Sequence, residues 1–356
     1  MRENYHQGTC IFVKVMDFSM EETRLVYVSN VITCIFNACF ALSAITGNLL
    51  VLFAIWKTQL KLYPSNILLS TLAFADLQVG LLVQTSFVGH KLAEISGTGD
   101  LACYARFVNI VFGYATTAVS LLTLTGIAIE RFLALYFHLR YNEVITKKRI
   151  LITAGVFWVL AFVVTSVYFL QKNVFGAIVI TSELASIVIT SVSYIKIYKI
   201  VRRHEREINL QRRVWVDSKA QVELNMKKYQ RSTFTMVIVF MLSFVCHVPY
   251  SGVMVAKLKY GFTAKVKVAI DIFSTVVCIN SSLNPLIYCW RIREVKLAVW
   301  AVVKRNSAVS PVQNEQSMLT RAPATMHLRN SLKKRNTPHP KKIWSVLKNK
   351  SLLLRK

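Results

Sequence analysis

The chain of 356 residues is 54% hydrophobic and carries a formal charge of +27. Its mean hydropathy of +0.44 and an apolar share above the about 45–50% of soluble domains mark a membrane protein, and the polar stretches leave no room for a soluble domain with its own core. The charge by itself would admit a nucleic-acid partner, but its placement in links beside apolar runs argues against one.

Residues 1–24 are polar and mixed in charge, with no basic-then-apolar signal pattern and no Asn-x-Ser/Thr sequon. They are expected to form an extracellular segment, with the first span inserting itself. Seven apolar runs follow at about 27–56, 65–88, 103–136, 150–171, 176–200, 232–256 and 266–289, each close to or above the roughly 20 residues that carry a helix across a bilayer. The expected fold is an all-α membrane protein, a seven-helix bundle filling about 25–304.

Basic residues crowd the links after runs one, three and five: Lys57 and Lys61; Arg140, Lys147, Lys148 and Arg149; then Arg202, Arg203, Arg206, Arg212, Arg213, Lys227 and Lys228. The other links hold fewer: Lys91 and Arg106, then Lys172, then Lys257, Lys259, Lys265 and Lys267. The positive-inside rule then sets the amino terminus outside and the tail in the cytoplasm. The turn from about Gln171 to Phe175 is short enough for an antiparallel helix pair. The link at about 201–231 is long and charged and extends runs five and six into the cytoplasm.

Residues 290–304 read as an amphipathic helix on the inner leaflet, with Ile292, Val295, Val299 and Val302 stepping by three or four among basic residues. The tail, 305–356, is basic, broken by prolines and polar enough to stay disordered. Its end, Lys341 to Lys356, reads either as solvated chain drawn to membrane lipids or as a basic helix for anionic lipid or calmodulin. Cys34, Cys39, Cys246, Cys278 and Cys289 fall in or at the ends of spans and are expected to be reduced packing residues. Cys10 and Cys103 lie on the outer side, where a disulfide between them is permitted.

Polar groups inside the apolar runs carry the functional signal, because they are costly there. On run three, Asn109, Gly113, Thr116, Ser120, Leu124, Ile127 and Arg131 share one helical face. That stripe ends in Glu130-Arg131-Phe132, where the arginine reads as a held, releasable ion pair or as a snorkelling anchor. Asp76 sits mid-membrane in run two, either hydrogen-bonded and neutral or facing a cation. Asn48, Ser120, Asn280, Ser281 and Asn284 stand at comparable depth, and oxygen ligands around one carboxylate suit a small hard cation. Pro249 and Pro285 are the two prolines inside the runs, and a bend at Pro249 gives run six a lever arm.

Gly47-Asn48, Leu72-Ala73-x-x-Asp76, Glu130-Arg131-Phe132, Trp158, Cys246-x-x-Pro249 and Asn284-Pro285-x-x-Tyr288 occur in this order on successive runs. Together they resemble the rhodopsin-like (class A) G-protein-coupled receptors. The resemblance implies a plasma-membrane receptor that passes binding of an extracellular ligand (small molecule, lipid or peptide) to a heterotrimeric G protein by outward movement of the sixth helix, with arrestin and receptor kinases as further partners. It implies that Glu130, Arg131, Tyr194, Pro249, Asn284, Pro285 and Tyr288 form the switch, with Tyr194 and Tyr288 swinging toward Arg131. It also implies an allosteric sodium ion at Asp76, Ser120, Asn280, Ser281 and Asn284, and no other cofactor. No enzymatic motif is present; a transporter or channel is the alternative.

The departures from the family pattern lie on the sensing side. His247 replaces the usual tryptophan of the sixth span, the fifth span lacks its proline, and Arg106 occupies the usual cysteine position, with Cys103 one turn early. Melanocortin, lysophospholipid and cannabinoid receptors lack that proline and that disulfide, which points toward their branch. No acidic residue stands around Tyr229 to lock Arg131, so raised basal signalling is expected. Gly113 stands where amine receptors carry an aspartate, and Cys278 where opsins carry a lysine. The ligand pocket is expected at Asn109, Gly113, Thr117, Glu183, His247, Tyr250 and Asp271, with Glu183 and His247 interacting directly or through ligand.

Overall fold

The computed structural model describes residues 23–58, 64–137, 140–211 and 219–303. Cys10, the tail with its lysine-rich end and the side chains around Tyr229 lie outside the described residues. Seven of the described helices are long and apolar enough to cross a membrane: α1 Arg24–Lys57, α2 Pro64–Ser96, α3 Gly99–Tyr136, α4 Lys147–Leu170, α5 Lys172–Gln211, α6 Lys219–Tyr260 and α7 Ala264–Arg291. A short α8, Arg293–Val303, follows. The start of α1 defines the upper end of the bundle and α8 its lower end.

Local chemistry sets the helix ends. Thr23, Thr146 and Thr263 each turn a hydroxyl onto the backbone N–H three residues on, capping α1, α4 and α7. Pro64 opens α2, where its missing N–H costs nothing. Gly97 and Gly261 close α2 and α6 at φ 75° and 73°, a left-handed turn that favours glycine.

The outer faces are apolar throughout, so polar and small residues mark the inward face. On α1, Asn30, Thr33, Asn37, Ala41, Ala44, Asn48 and Val51 are all buried and step by three or four. This face packs on α7 and α2. Gly80 brings α2 close enough that an added Cβ would lie 2.8 Å from Ile45 Cγ1 and 3.1 Å from the Ala41 carbonyl oxygen. Around it, Val79–Gln84 is wound as a π-helix. α3 runs through the centre, against α2, α4, α5 and α6. The lower core joins Val51, Leu68, Leu124, Val239 and Tyr288 with Val295 and Ala298 of α8, so the amphipathic reading of 290–304 holds over 293–303.

Several boundaries differ from the sequence reading, two of them beside the upper cavity. α2 runs on to Ser96 rather than stopping near 88, and α3 starts at Gly99 rather than 103. Lys91 and Arg106 are therefore helical rather than loop residues, as are Lys257, Lys265 and Lys267. A hydropathy count ends a span at a lysine; the fold keeps it by pairing the charge. The turn between α4 and α5 shrinks to Gln171.

Gly80→Ala is expected to destabilise the α1–α2 contact by about 1–3 kcal/mol. Gly155→Ala, where an added Cβ meets nothing within 4 Å, should leave stability unchanged or raised. Equal melting temperatures for the two purified variants would contradict this packing.

Candidate functional site

The upper half of the bundle encloses a cavity of about 200 Å³. Asn109, Gly113, Thr117, Glu183, His247, Tyr250 and Asp271 all line it. Asn109 is fixed by donating from Nδ2 to the Val83 carbonyl (2.8 Å), a group of the π-helical stretch of α2. Tyr250 meets the Tyr114 hydroxyl at 3.3 Å, and Tyr114, Tyr168 and Phe175 pack in tilted and edge-to-face pairs with ring centroids 4.7–5.5 Å apart. This aromatic cluster ties α3, α4, α5 and α6 together on one side of the cavity.

Glu183 and His247 share the cavity but bond elsewhere. Glu183 Oε2 accepts from Ser251 Oγ at 2.5 Å. His247 Nδ1 lies 2.6 Å from the Ser243 carbonyl oxygen, one turn earlier on α6. No hydrogen bond joins the two among the described residues; each bonds a partner on α6 instead.

Above the cavity lies a buried charge cluster that the loop assignment had hidden. Lys91 is fully buried, with Nζ 2.6 Å from Asp271 Oδ2 and 3.3 Å from Glu94 Oε2. Lys267 reaches Glu94 Oε1 at 3.0 Å, and Asn30 donates to Glu94 from α1 at 3.3 Å. The cluster clamps α1, α2 and α7 together. Beside it, the Ala102 carbonyl takes the proton of His90 Nδ1 (3.1 Å), which leaves Nε2 to accept from Arg106 Nη1, also at 3.1 Å. His90, Arg106, Tyr114 and Ser251 line the cavity without having been singled out from sequence. Arg106 and Ser251 carried a signal: each extends an inward face by one turn, above Asn109 and beyond His247.

At the cavity floor Asp76 is 1% exposed. Asn284 donates to its Oδ2 at 2.7 Å, and Ser281 also hydrogen-bonds it. Ser120, Asn280 and Ser281 face the same space. The side-chain oxygens of Asn48, Asn280 and Asn284 are buried without hydrogen-bond partners among the described residues. Unfilled neutral oxygens around one carboxylate match what a small hard cation needs. Asn280 Nδ2 also donates to Ser243 Oγ at 3.4 Å, so Ser243 touches both α7 and His247.

At the lower end, Arg131 Nε stands 3.4 Å from Glu130 Oε2, and Glu130 Oε1 accepts from Tyr141 Oη at 2.5 Å. Tyr141 belongs to a single turn, Tyr141–Val144, between α3 and α4. Tyr288 is fully buried and its hydroxyl has no hydrogen-bond partner among the described residues. Tyr194 packs on the same lower core. Pro249 and Pro285 lie within helices α6 and α7. Cys103 is buried and disulfide-bonded, whereas its expected partner Cys10 lies outside the described residues. Cys34, Cys39, Cys246, Cys278 and Cys289 are free.

Seven spans, a cavity at one end and a held Glu-Arg pair at the other define a membrane receptor. The chain belongs to the rhodopsin family of seven-transmembrane receptors, whose family model matches residues 47–177 and 173–288. It is similar to a QRFP-like peptide receptor of Branchiostoma floridae, 26% identical over 79% of this chain and 80% of that protein. It is also similar to the adenosine receptor A2b of Bos taurus, 25% identical over 74% of this chain and 86% of the relative. Growth hormone secretagogue receptor type 1 of Oryctolagus cuniculus is 34% identical over 33% of this chain and 31% of its own length. None of these three belongs to the melanocortin, lysophospholipid or cannabinoid groups, so they lend that branch no support. The protein is therefore a multi-pass G-protein-coupled receptor, its partners an extracellular ligand and a G protein. The family consists of receptors rather than enzymes, and the transporter alternative has nothing in its favour.

The charge cluster predicts a steep asymmetry. Asp271→Asn, which strips Lys91 of its 2.6 Å partner, should destabilise the receptor by about 3–5 kcal/mol. The double variant Lys91→Met/Asp271→Leu should recover most of that loss. Additive losses in a double-mutant melting cycle would contradict the pairing.

Proposed function

We propose that ligand in the upper cavity selects an arrangement of the bundle in which the lower half of α6 moves outward about Pro249 and opens a G-protein site around Arg131. The observation that carries this is the polar run across the bundle at Ser243. His247 of the cavity bonds its carbonyl, and Asn280 of α7 bonds its hydroxyl. A ligand that moves His247 acts on α6 and α7 together. Asn280 in turn is one helical turn from Asn284, which holds Asp76.

At the lower end the resting state leaves Tyr288 buried without a hydrogen-bond partner among the described residues. An unsatisfied hydroxyl costs about 1–3 kcal/mol, and rotation of Tyr288 and Tyr194 toward Arg131 relieves it. The Arg131–Glu130 pair then breaks for the G protein. A sodium ion held by Asp76, Ser120, Asn280, Ser281 and Asn284 would supply positive charge that favours the resting arrangement. The upper end faces the outside and the tail the cytoplasm of a plasma-membrane receptor, where arrestin, receptor kinases and inner-leaflet lipids meet it. The relatives' names include a peptide receptor and adenosine receptors, so they fix no ligand class.

Because no acidic residue stands around Tyr229, basal nucleotide exchange on G protein in receptor membranes is expected to exceed that of mock membranes at matched surface expression. Arg131→Ala should bring it down to the mock level. Exchange equal to mock in the unmodified receptor would contradict the raised basal activity, and exchange unaffected by Arg131→Ala would contradict the role of the arginine. Sodium chloride, compared with an equal concentration of potassium chloride, should lower basal exchange in the unmodified receptor and leave Asp76→Asn unchanged.

A further inference from the structure

The α5–α6 wall of the cavity displays hydrogen-bond acceptors at Glu183 and His247. Glu183 Oε2 takes the single hydroxyl hydrogen of Ser251, while Oε1 is buried with no hydrogen-bond partner among the described residues. No cation pairs with Glu183 among the described residues. The Ser182 hydroxyl donates to the Val179 carbonyl, and the hydroxyls of Tyr250 and Tyr114 meet each other. His247 presents the same polarity. Its Nδ1 faces the Ser243 carbonyl at 2.6 Å, and a carbonyl only accepts, so Nδ1 carries a hydrogen and the neutral ring offers the Nε2 lone pair. Ser243, His247 and Ser251 are spaced by four on one face of α6, which meets Asn280 of α7 at Ser243 and Glu183 of α5 at Ser251.

A buried carboxylate oxygen without a donor is costly, and more so when it carries charge. An entering group with N–H donors and positive charge relieves it. The cavity is polarised in the same sense. Arg106 and Lys257 line it above, and Asp271 is already engaged by Lys91. On α3, Gly113 supplies no carboxylate, and Asp76 at the floor is held by Asn284 and Ser281, which leaves Glu183 as the carboxylate with an open oxygen among the described lining residues.

We propose that the ligand carries an amidinium or guanidinium group that seats on Glu183 Oε1 and His247 Nε2. The planar fork of such a group offers two N–H bonds at once, which a single alkylammonium does not match. Ser251 is a positioning residue that orients the carboxylate. A cavity of about 200 Å³ fits either a small amidine or one arginine side chain of a peptide, and the two share this chemistry. The inference rests on the reading above only in taking the cavity as the ligand site.

The test follows the melting temperature of the full-length receptor against benzamidine and N-acetyl-arginine amide. Their neutral isosteres benzamide and N-acetyl-citrulline amide run beside them. The charged probes are expected to raise the melting temperature with concentration and the isosteres to leave it unchanged. A shift with benzamidine alone assigns a free small molecule; a shift with the arginine amide assigns a peptide side chain. Glu183→Gln should weaken the apparent affinity at least tenfold, while the unliganded variant melts no lower than the unmodified receptor because the amide oxygen still accepts from Ser251. If Glu183→Gln fails to fold, His247→Phe takes its place with the same expected weakening. Equal shifts from the isosteres, no shift from any probe, or undiminished affinity in these variants overturns the proposal. Melting does not involve the G protein, so a receptor that binds the probes but drives no exchange would count against the signalling reading and not this one.

Discussion

A carboxylate held mid-membrane constrains everything else in this receptor. Asp76 is almost fully buried, and a charge at that depth must be hydrogen-bonded, paired or neutralised. The bundle meets the demand with side chains from other helices: Asn284 and Ser281 on α7 reach Asp76 directly, while Asn48 on α1 donates to the Ser281 carbonyl at 3.1 Å. Small residues let these groups meet. An added Cβ at Gly47 would lie 3.1 Å from Pro285, so α1 and α7 touch beside the polar site. Satisfying one buried group thus fixes the register of three helices.

The upper end solves a related problem in another way. Lys91, Glu94, Lys267 and Asp271 bring two cations and two carboxylates into one buried cluster. Their mutual attraction in a low-dielectric surrounding offsets a desolvation cost that none of them bears alone. The clamp holds α1, α2 and α7 fixed, whereas the wall of α5 and α6 carries an incompletely satisfied carboxylate. Satisfied and open polar groups are thereby divided between two sides of the cavity. Sites that keep polar groups unsatisfied are where a ligand has the most to gain.

Much of this was legible in the residues. The stripe from Asn109 to Arg131 follows from helical periodicity, and the cavity takes Asn109, Gly113 and Ser120 from it. Glu183 and His247 stood out because an acid and an imidazole inside apolar runs are rare. The charge cluster was not legible, since Lys91 and Lys267 look like loop lysines until Glu94 and Asp271 are placed beside them. Asp271 was singled out for the pocket, yet its strongest bond is to a lysine 180 residues away in sequence.

The chain's composition, the spacing of its apolar runs and the order of its motifs determined seven spans and the receptor family. These are local properties: hydrophobic length sets a span, and a period of 3.6 residues sets a face. Only the tertiary structure decided which polar groups satisfy one another. It ended α2 at Ser96, gave Tyr141 to Glu130 and Ser251 to Glu183, and left Tyr288 and one oxygen of Glu183 without hydrogen-bond partners among the described residues. Those outcomes depend on distances between helices far apart in sequence, and a buried charge is tolerated or costly according to what stands about 3 Å away.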